Sequence, residues 1–211
     1  MTTTSGTSVR EERARKTRAR ILDAARELML SGGYARMTIA DLARAAGVSA
    51  QTVYNSVGGK AEVVKAVYDV ILAGDGDPVP MSNRPQFRAV TEAVDLDSWA
   101  ASYAAWSRVI SERVGPLLGA LLAHGPGGDP VLEKLVASMD SERRIGNERA
   151  LRGLVERGGL PRETPLRRLV DAVWVLTAPE VYDRLVHRSG WTPAAYEKWL
   201  TLQLRAALAD G

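Results

Sequence analysis

Hydrogen-bonding side chains are concentrated in one stretch of this chain, IADLARAAGVSAQTVYNSV at positions 39–57. If Val53 and Val57 point inward, the opposite face of a helix here carries Gln51, Thr52, Tyr54 and Asn55. In the DNA major groove, Gln and Asn amides pair bidentately with adenine, a Thr methyl contacts thymine, and Tyr reaches phosphate. These residue types favour a surface that reads duplex DNA; the alternative is an amphipathic helix with a solvated polar face.

Presenting that face requires two short helices joined by a tight turn. The apolar face of the first helix consists of Leu42, Ala43 and Ala46. Thr38 is placed to cap its N-terminus, and Gly47 can end it in the left-handed conformation. Ser49 is then the N-cap of the second helix, and Val53 closes the angle between the two. The spacing predicts a helix-turn-helix.

Catalytic chemistry is poorly supported. His124 lies in a Gly-rich turn and His187 near a helix end, and neither has an acid at metal-ligand spacing or a Ser in a nucleophile-elbow context. The segment GPGGDP lacks the Lys-Ser/Thr of a phosphate-binding loop. The chain has no cysteine, which excludes disulfides, thiolate metal sites and a Cys nucleophile. We expect a protein that is not an enzyme and needs no metal or cofactor.

The length of 211 residues and the 45% hydrophobic content allow a substantial core. No apolar run approaches the roughly 20 residues that span a bilayer, and the start MTTTSGTS lacks the apolar core of a signal peptide. We therefore expect a soluble cytoplasmic protein that makes no membrane contact.

Charge is unevenly distributed along the chain. Residues 1–60 hold ten Lys and Arg against five Asp and Glu, whereas residues 61–211 hold 18 against 20. A basic end that carries a helix-turn-helix is the distribution expected when only that end meets phosphate. The run from Arg10 to Arg20 is read either as a phosphate-contacting or groove-reaching segment or as a solvated helix face.

A longer run around this motif, RARILDAARELMLSGGYARMTIADLARAAGVSAQTVYNSVGGKAEVVKAVYDVI, resembles the N-terminal domain of TetR-family transcriptional regulators. The resemblance implies that Tyr54 and Lys60 contact DNA. Together with the polar face and its caps, the expected DNA-binding residues are Thr38, Ser49, Gln51, Thr52, Tyr54, Asn55 and Lys60. The family usually has Phe at the position of Val57 and an aromatic or His pair at Asn55 and Ser56, so the resemblance supplies no operator sequence.

Helical periodicity continues to the C-terminus, and no strand pattern appears. We predict an all-α protein with a disordered tail at 1–8, a helix-turn-helix DNA-binding domain at 9–60 and a ligand-binding and dimerisation bundle at 61–211. Predicted helices cover 9–30, 60–73, 85–93, a segment from Ser98 interrupted at Gly115-Pro116, 116–123, 130–157, Pro165–Val186 with a kink at Pro179, and Pro193–Ala209. The stretch 74–97 is read as a loop or a flap.

Aromatic and polar side chains recur at helical spacing in the C-terminal half. The candidate ligand-binding residues are Trp99, Tyr103, Trp106, Met139, Arg143, Asn147 and Trp174. Such stripes also occur in plain cores, because aromatic residues dominate buried surface in helical bundles. If they line a cavity, the ligand should be a largely apolar or aromatic small molecule whose polar end meets Arg143 or Asn147.

The last helix has two apolar stripes, one with Trp199, Leu202 and Ala206 and one with Leu200, Leu204 and Leu208. We expect one stripe to pack inside the subunit and the other against a second copy, with Trp199, Leu200, Leu204 and Leu208 as interface candidates. The alternative is a monomer in which both stripes are core.

The family resemblance implies a homodimeric repressor that leaves a palindromic double-stranded DNA operator when a small-molecule effector binds. The alternatives are an activator, a DNA-binding regulator without a ligand, and a helical protein-interaction module.

Overall fold

A computed structural model describes residues 5–74, 84–122 and 130–209. The helices in these ranges are α1 (Ser5–Gly32), α2 (Ile39–Ala45), α3 (Ala50–Ser56), α4 (Lys60–Ala73), α5 (Pro85–Glu92), α6 (Leu96–Leu122), α7 (Pro130–Glu156), α8 (Leu166–Leu176), α9 (Pro179–Tyr182) and α10 (Pro193–Ala209). A short 3-10 helix covers Tyr34–Arg36 and a π-helical turn covers Asp183–Arg188. These ranges contain no β-strand, and the all-α prediction is confirmed.

The chain divides into two compact units, and the first comprises Met1–Gly76 and Pro116–Leu135. In this unit α1 packs on α2, α3 and α4. Its fully buried side chains include Ile21, Ala25, Met29, Leu42, Val53, Val63 and Val64. Because α4 supplies Val63 and Val64 to the interior, the compact unit around the helix-turn-helix extends well past the predicted boundary at residue 60.

The first helix starts earlier than predicted. It begins at Ser5 rather than Val9, and it ends at Gly32 before Gly33, whose φ is 77°. The basic run from Arg10 to Arg20 is thus helical. Residues 1–4 of the predicted tail lie outside the described residues.

The second unit comprises Asp77–Gly115 and Val136–Gly211. Its core joins α6, α7, α8 and α10, and its fully buried side chains include Trp99, Leu151, Leu154, Val173, Tyr196, Leu200 and Leu204. Around this core, Arg108 donates to Glu197 across 2.7 Å and Arg205 pairs with Asp97 at 2.7 Å. Both pairs connect α6 to α10, so the last helix is fixed to its own subunit along its length.

The prolines in two predicted helices give opposite outcomes. The predicted interruption at Gly115-Pro116 is wrong, because α6 continues through Pro116. A proline inside a helix costs about 3 kcal/mol, whereas burying one leucine contributes about 1.5–3 kcal/mol. Leu117 and Leu121, both 1% exposed, together outweigh the proline.

Pro179 does not kink one continuous helix, as predicted for Pro165–Val186. Instead α8 ends at Leu176 and Pro179 opens α9, after which the chain forms the π-helical turn. Ala178 is extended (φ −64°, ψ 135°), as a residue before proline prefers, and Pro179 occupies the first helical turn, where no backbone donor is needed.

Within the described ranges, no helix is long and apolar enough to cross a membrane. The Gly-rich turn predicted around His124, at residues 123–129, lies outside the described residues. The predicted helices at 60–73, 130–157 and 193–209 agree with α4, α7 and α10 to within one residue.

Candidate functional site

The helix-turn-helix has the caps that the sequence predicts. The Thr38 hydroxyl accepts a hydrogen bond from the Asp41 amide (3.1 Å), and the Ser49 hydroxyl accepts one from the Thr52 amide (3.0 Å). Each bond gives a side-chain partner to a backbone donor in the first turn of its helix, and the Thr52 amide also donates to the Ser49 carbonyl oxygen across 3.0 Å. Both N-cap predictions are confirmed.

The turn between α2 and α3 depends on Gly47. Its φ is 65°, and the Val48 amide donates to the Ala43 carbonyl across 2.9 Å. A Cβ at this position would meet nothing within 4 Å, so the requirement for glycine is conformational rather than steric. The predicted left-handed turn is confirmed, and it fixes the direction in which α3 leaves α2.

The polar face of α3 is exposed, as its sequence predicts. Val53 is fully buried on the inner side, while Gln51, Tyr54 and Asn55 are exposed and Thr52 is half-buried. Gln51 Nε2 donates to Asn55 Oδ1 across 2.9 Å, so these amides are partners of one another. The face therefore presents hydrogen-bonding groups and no formal charge, which suits the edges of base pairs.

The hydroxyls of Thr38 and Ser49 take part in additional local bonds. Thr38 Oγ1 lies 2.6 Å from Asp41 Oδ2, and Ser49 Oγ lies 2.8 Å from Thr52 Oγ1. The Thr38 hydroxyl, and next to it the Arg44 guanidinium at 2.9 Å, lower the pKa of Asp41. The carboxylate thus stays ionised at the first turn of α2, where negative charge is favoured by the helix dipole.

Lys60 opens α4 and lies beside the end of the 3-10 helix. Its Nζ is 4.0 Å from the centre of the Tyr34 ring and 3.4 Å from the Ala35 carbonyl oxygen. These contacts place the charge of Lys60 at a defined position near the helix-turn-helix.

Arg18 is a residue of this site that the sequence does not single out. Its Nη1 donates to the Ser56 carbonyl oxygen across 2.8 Å, although the two residues are 38 positions apart. Ser56 is the last residue of α3, so a cation there satisfies a carbonyl at the negative end of the helix. The only sequence signal was membership of the basic run from Arg10 to Arg20.

The structure brings several of the predicted ligand-binding residues together in the second unit. Trp99 stacks on Tyr103 with ring centroids 4.6 Å apart, and the Tyr103 hydroxyl donates to Asn147 Oδ1. Burial raises the pKa of Tyr103, an effect that the positive charge of Arg143 partly offsets. Trp99, Tyr103 and Asn147 are buried, and Met139 is also buried on the same face of α7 as Asn147.

Arg143 and Trp174 form a second contact group. Arg143 Nη2 donates to the Trp174 carbonyl oxygen across 2.7 Å, and its guanidinium lies 5.8 Å from the centre of the Trp174 ring. Arg144, which the sequence did not single out, lies closer to that ring at 4.7 Å. Trp106 is half-buried and packs edge-on against Phe87 at 5.4 Å, so the short helix α5 contributes to the aromatic group.

Several buried N–H groups in this region have no acceptor among the described residues. They are Asn147 Nδ2, Trp99 Nε1 and Trp174 Nε1. Buried polar atoms are nearly always hydrogen-bonded, and an exception calls for a water molecule, a ligand or a functional explanation. These three N–H groups are therefore available to a hydrogen-bond acceptor that binds in this region.

The predicted dimer stripe is on the wrong side of α10. Leu200, Leu204 and Leu208 are 0%, 0% and 2% exposed within a single chain, because they pack into the core of the second unit. They offer no surface to a partner. Trp199 is half-buried against Tyr196 and Trp191, whereas Leu202 is 60% exposed and Ala206 is also exposed.

A shallow groove between α8 and α10 adjoins this exposed stripe. It is lined by Asp171, Ala172, Val175, Leu176, Gln203, Ala206 and Ala207. Val175 is 53% exposed at its edge. The exposed apolar groups of the two helices therefore face the same way.

No group of His, Asp and Glu side chains in the described ranges has the arrangement of a metal site. His187 packs edge-on against Tyr182 with ring centroids 5.6 Å apart.

Comparison with known proteins agrees with this geometry. Residues 21–67 match the family described as bacterial regulatory proteins, tetR family. The HTH-type transcriptional regulator TtgR of Pseudomonas putida is 42% identical over 59 residues, which are 28% of this chain. The match spans only 28% of the length of TtgR.

Two solved structures share the fold over nearly the whole chain. MexZ, a key repressor responsible for antibiotic resistance in Pseudomonas aeruginosa, has a TM-score of 0.53 at 28% identity, covering 92% of this chain and 94% of its own. NalD, the secondary repressor of the MexAB-OprM multidrug efflux pump in the same species, has a TM-score of 0.63 at 20% identity, covering 93% and 98%. Residues 21–67 thus match the helix-turn-helix domain of the tetR family of bacterial regulatory proteins, and the chain shares the fold of MexZ and NalD.

Proposed function

We propose that the protein is a homodimeric transcriptional repressor that binds a palindromic operator and is released from it by a small-molecule effector. The observation that carries this proposal is the capped helix-turn-helix with its exposed, uncharged hydrogen-bonding face on α3. MexZ and NalD are repressors, which favours repression over activation here.

On DNA, the first unit would supply both kinds of contact. Gln51, Thr52 and Asn55 would face base edges, while Tyr54 and Lys60 would hold phosphates, which position a protein without reading sequence. Thr38 and Ser49 would approach the backbone at the starts of α2 and α3, with their side chains still capping those helices.

The effector would bind in the second unit. Trp99, Tyr103 and Met139 would form an apolar floor, with Trp106, Arg143, Asn147 and Trp174 around it. The unpartnered Asn147 and Trp174 N–H groups favour a largely apolar or aromatic molecule that carries a hydrogen-bond acceptor, such as a carbonyl or carboxylate oxygen.

Two subunits would associate through α8 and α10. The exposed Val175, Leu202 and Ala206, rather than the buried leucines, would form an isologous contact across the groove between these helices. Such a dimer could hold two recognition helices at about 34–36 Å, the separation of successive major grooves on one side of DNA.

A gel-shift titration with duplex DNA from upstream of the protein's own gene tests the proposal. Specific binding should occur with a Kd of about 10⁻⁸–10⁻¹¹ M and survive excess unrelated DNA. Lys60→Ala should weaken binding to all sequences alike and reduce the slope of log affinity against log salt by about one.

Arg149→Ala is the matched control, because it removes the same charge from an exposed position on α7, away from the helices proposed to form the dimer. It should leave both the affinity and the salt slope unchanged. If excess unrelated DNA abolishes binding to the upstream duplex completely, that duplex contains no operator for this protein.

A further inference from the structure

Gln51 and Asn55 lie one helical turn apart on the exposed face of α3 and are joined by a hydrogen bond. Gln51 Nε2 donates to Asn55 Oδ1 across 2.9 Å. Side chains four positions apart on a helix are neighbours, and amide pairs at this spacing stabilise an isolated helix by only about 0.2–0.5 kcal/mol. The contribution of the bond to folding is therefore small, and its effect on orientation matters more.

The bond determines which way the Asn55 amide faces. An amide has one oxygen acceptor and an NH₂ donor group, and exchanging the two reverses the pattern that it presents. With Oδ1 held toward Gln51, both hydrogens on Asn55 Nδ2 are available, and Oδ1 keeps a second lone pair. Asn55 therefore presents an acceptor and a donor side by side in a fixed order.

That order matches one base in the major groove. Adenine presents the N6 amino group as a donor beside N7 as an acceptor, and an Asn amide satisfies both at once. Guanine presents two acceptors at the corresponding edge, which an Asn amide oxygen cannot satisfy.

The helix that carries this pair is held at both ends. Ser49 caps its first turn at 3.0 Å, and Arg18 donates to the Ser56 carbonyl oxygen at 2.8 Å. Val53 anchors its inner face with no exposed surface. Because the backbone under Gln51 and Asn55 is fixed, the orientation of the amide pair is set by the bond between them.

We propose that the Gln51–Asn55 pair reads a single A·T base pair in each operator half-site. Asn55 contacts the adenine, and Gln51 is a positioning residue that acts through Asn55. This inference rests on the proposed DNA-binding function. It differs from the simpler arrangement in which each amide reads its own base and the bond between the two side chains plays no part in recognition.

The experiment starts with selection from a random-sequence duplex DNA library by the full-length wild-type protein. Affinities are then measured for the selected operator and for operators with each base pair replaced in turn. The proteins are wild type, Gln51→Ala, Asn55→Ala and the double variant. Each variant's unfolding curve is recorded, and since both side chains are exposed, all four should unfold alike.

Asn55→Ala should lose roughly 5- to 150-fold of discrimination at one A·T position, the range expected for a bidentate contact. Gln51→Ala should lose discrimination at the same position, and the double variant should lose no more than Asn55→Ala alone. Lys60→Ala is the comparison variant, and it should lower affinity without changing discrimination at any position.

Gln51→Glu distinguishes positioning from a merely structural role. The carboxylate has nearly the same shape but only accepts hydrogen bonds, so it would draw the Asn55 NH₂ group toward itself and reverse the amide. Preference for A·T at that position should be lost. Preference is measured as the ratio of the variant's affinities for the selected operator and for the operator with that base pair replaced. The repulsion between the new carboxylate and the DNA phosphates lowers both affinities equally and does not change this ratio.

If Gln51→Ala and Asn55→Ala lose discrimination at two different base pairs, and the losses add in the double variant, the inference is overturned. The proposed operator recognition would still stand. Full discrimination retained by Gln51→Ala would also overturn the inference. A library in which no sequence is enriched by the wild-type protein would overturn the proposed operator recognition itself, and the inference with it.

Discussion

Polar groups on α3 and polar groups inside the second unit are arranged in opposite ways. On α3 they are exposed and bonded to neighbours one turn away, as in Gln51 with Asn55 and Ser49 with Thr52. Inside the second unit they are buried, and Asn147 Nδ2 has no acceptor among the described residues. Water can replace a lost exposed bond, but it cannot readily replace a buried one. Changes on α3 should therefore affect binding, and changes inside the second unit should affect folding.

The largest expected effect is on α10, where buried and exposed leucines lie on opposite sides of one helix. Leu204→Ala should lower the free energy of unfolding by about 2–5 kcal/mol, because it leaves a cavity at a fully buried position. Urea denaturation at fixed protein concentration measures the change. A loss below about 1 kcal/mol would mean that Leu204 is not held in a close-packed core.

Leu202→Glu is the matched change on the exposed face. It should leave the fold intact and, in sedimentation at micromolar concentration, reduce the mass from a dimer to one 22.8 kDa chain. A wild-type protein that sediments at 22.8 kDa would exclude the dimer. An unchanged dimer in Leu202→Glu would place the interface elsewhere.

The bond between Tyr103 and Asn147 tests the buried half of the comparison with a smaller effect. Tyr103→Phe leaves the Asn147 oxygen without a donor and should cost about 1–3 kcal/mol of stability. Adding Asn147→Leu removes the remaining polar group and should restore most of that loss. Thermal or urea unfolding of the two single variants and the double variant gives the coupling energy.

If the two single losses simply add, Tyr103 and Asn147 are not coupled, and the contrast with α3 disappears. A largely apolar or aromatic molecule that carries a carbonyl or carboxylate oxygen should stabilise the wild-type protein against unfolding. The same molecule should not stabilise Asn147→Leu.

The smallest expected effect concerns the exposed half of the comparison. Ser49→Ala removes the cap of α3 and should cost about 1 kcal/mol. Ser141→Ala, at an exposed position inside α7, is the matched control and should be neutral or slightly stabilising, since alanine is the better helix former. A neutral Ser49→Ala would show that the cap bond is not maintained in solution.

The helix-turn-helix could be predicted almost residue by residue because its determinants are local. The caps at Thr38 and Ser49 and the left-handed Gly47 each act within four positions of the chain. The predicted all-α character and most helix bounds follow from periodicity in the same way.

The predictions that were wrong, and the contact that was missed, concern features that depend on contacts between distant segments. Whether Pro116 breaks α6 was decided by the burial of the leucines after it, and which stripe of α10 faces inward was decided by the packing of the whole second unit. The Arg18–Ser56 contact spans 38 positions, and no local pattern distinguishes Arg18 from the arginines around it. Periodicity identifies a face but not the partner that covers it.

The contact between Arg18 and Ser56 also defines what can be exchanged between related regulators. Engineers who transplant DNA specificity commonly wish to move the shortest possible segment, and residues 39–57 look sufficient from the motif alone. In this chain the far end of α3 is held by a guanidinium on α1. A graft limited to residues 39–57 loses this contact unless the host has a donor at the equivalent of Arg18, so a transferred segment should include α1 as well as the helix-turn-helix.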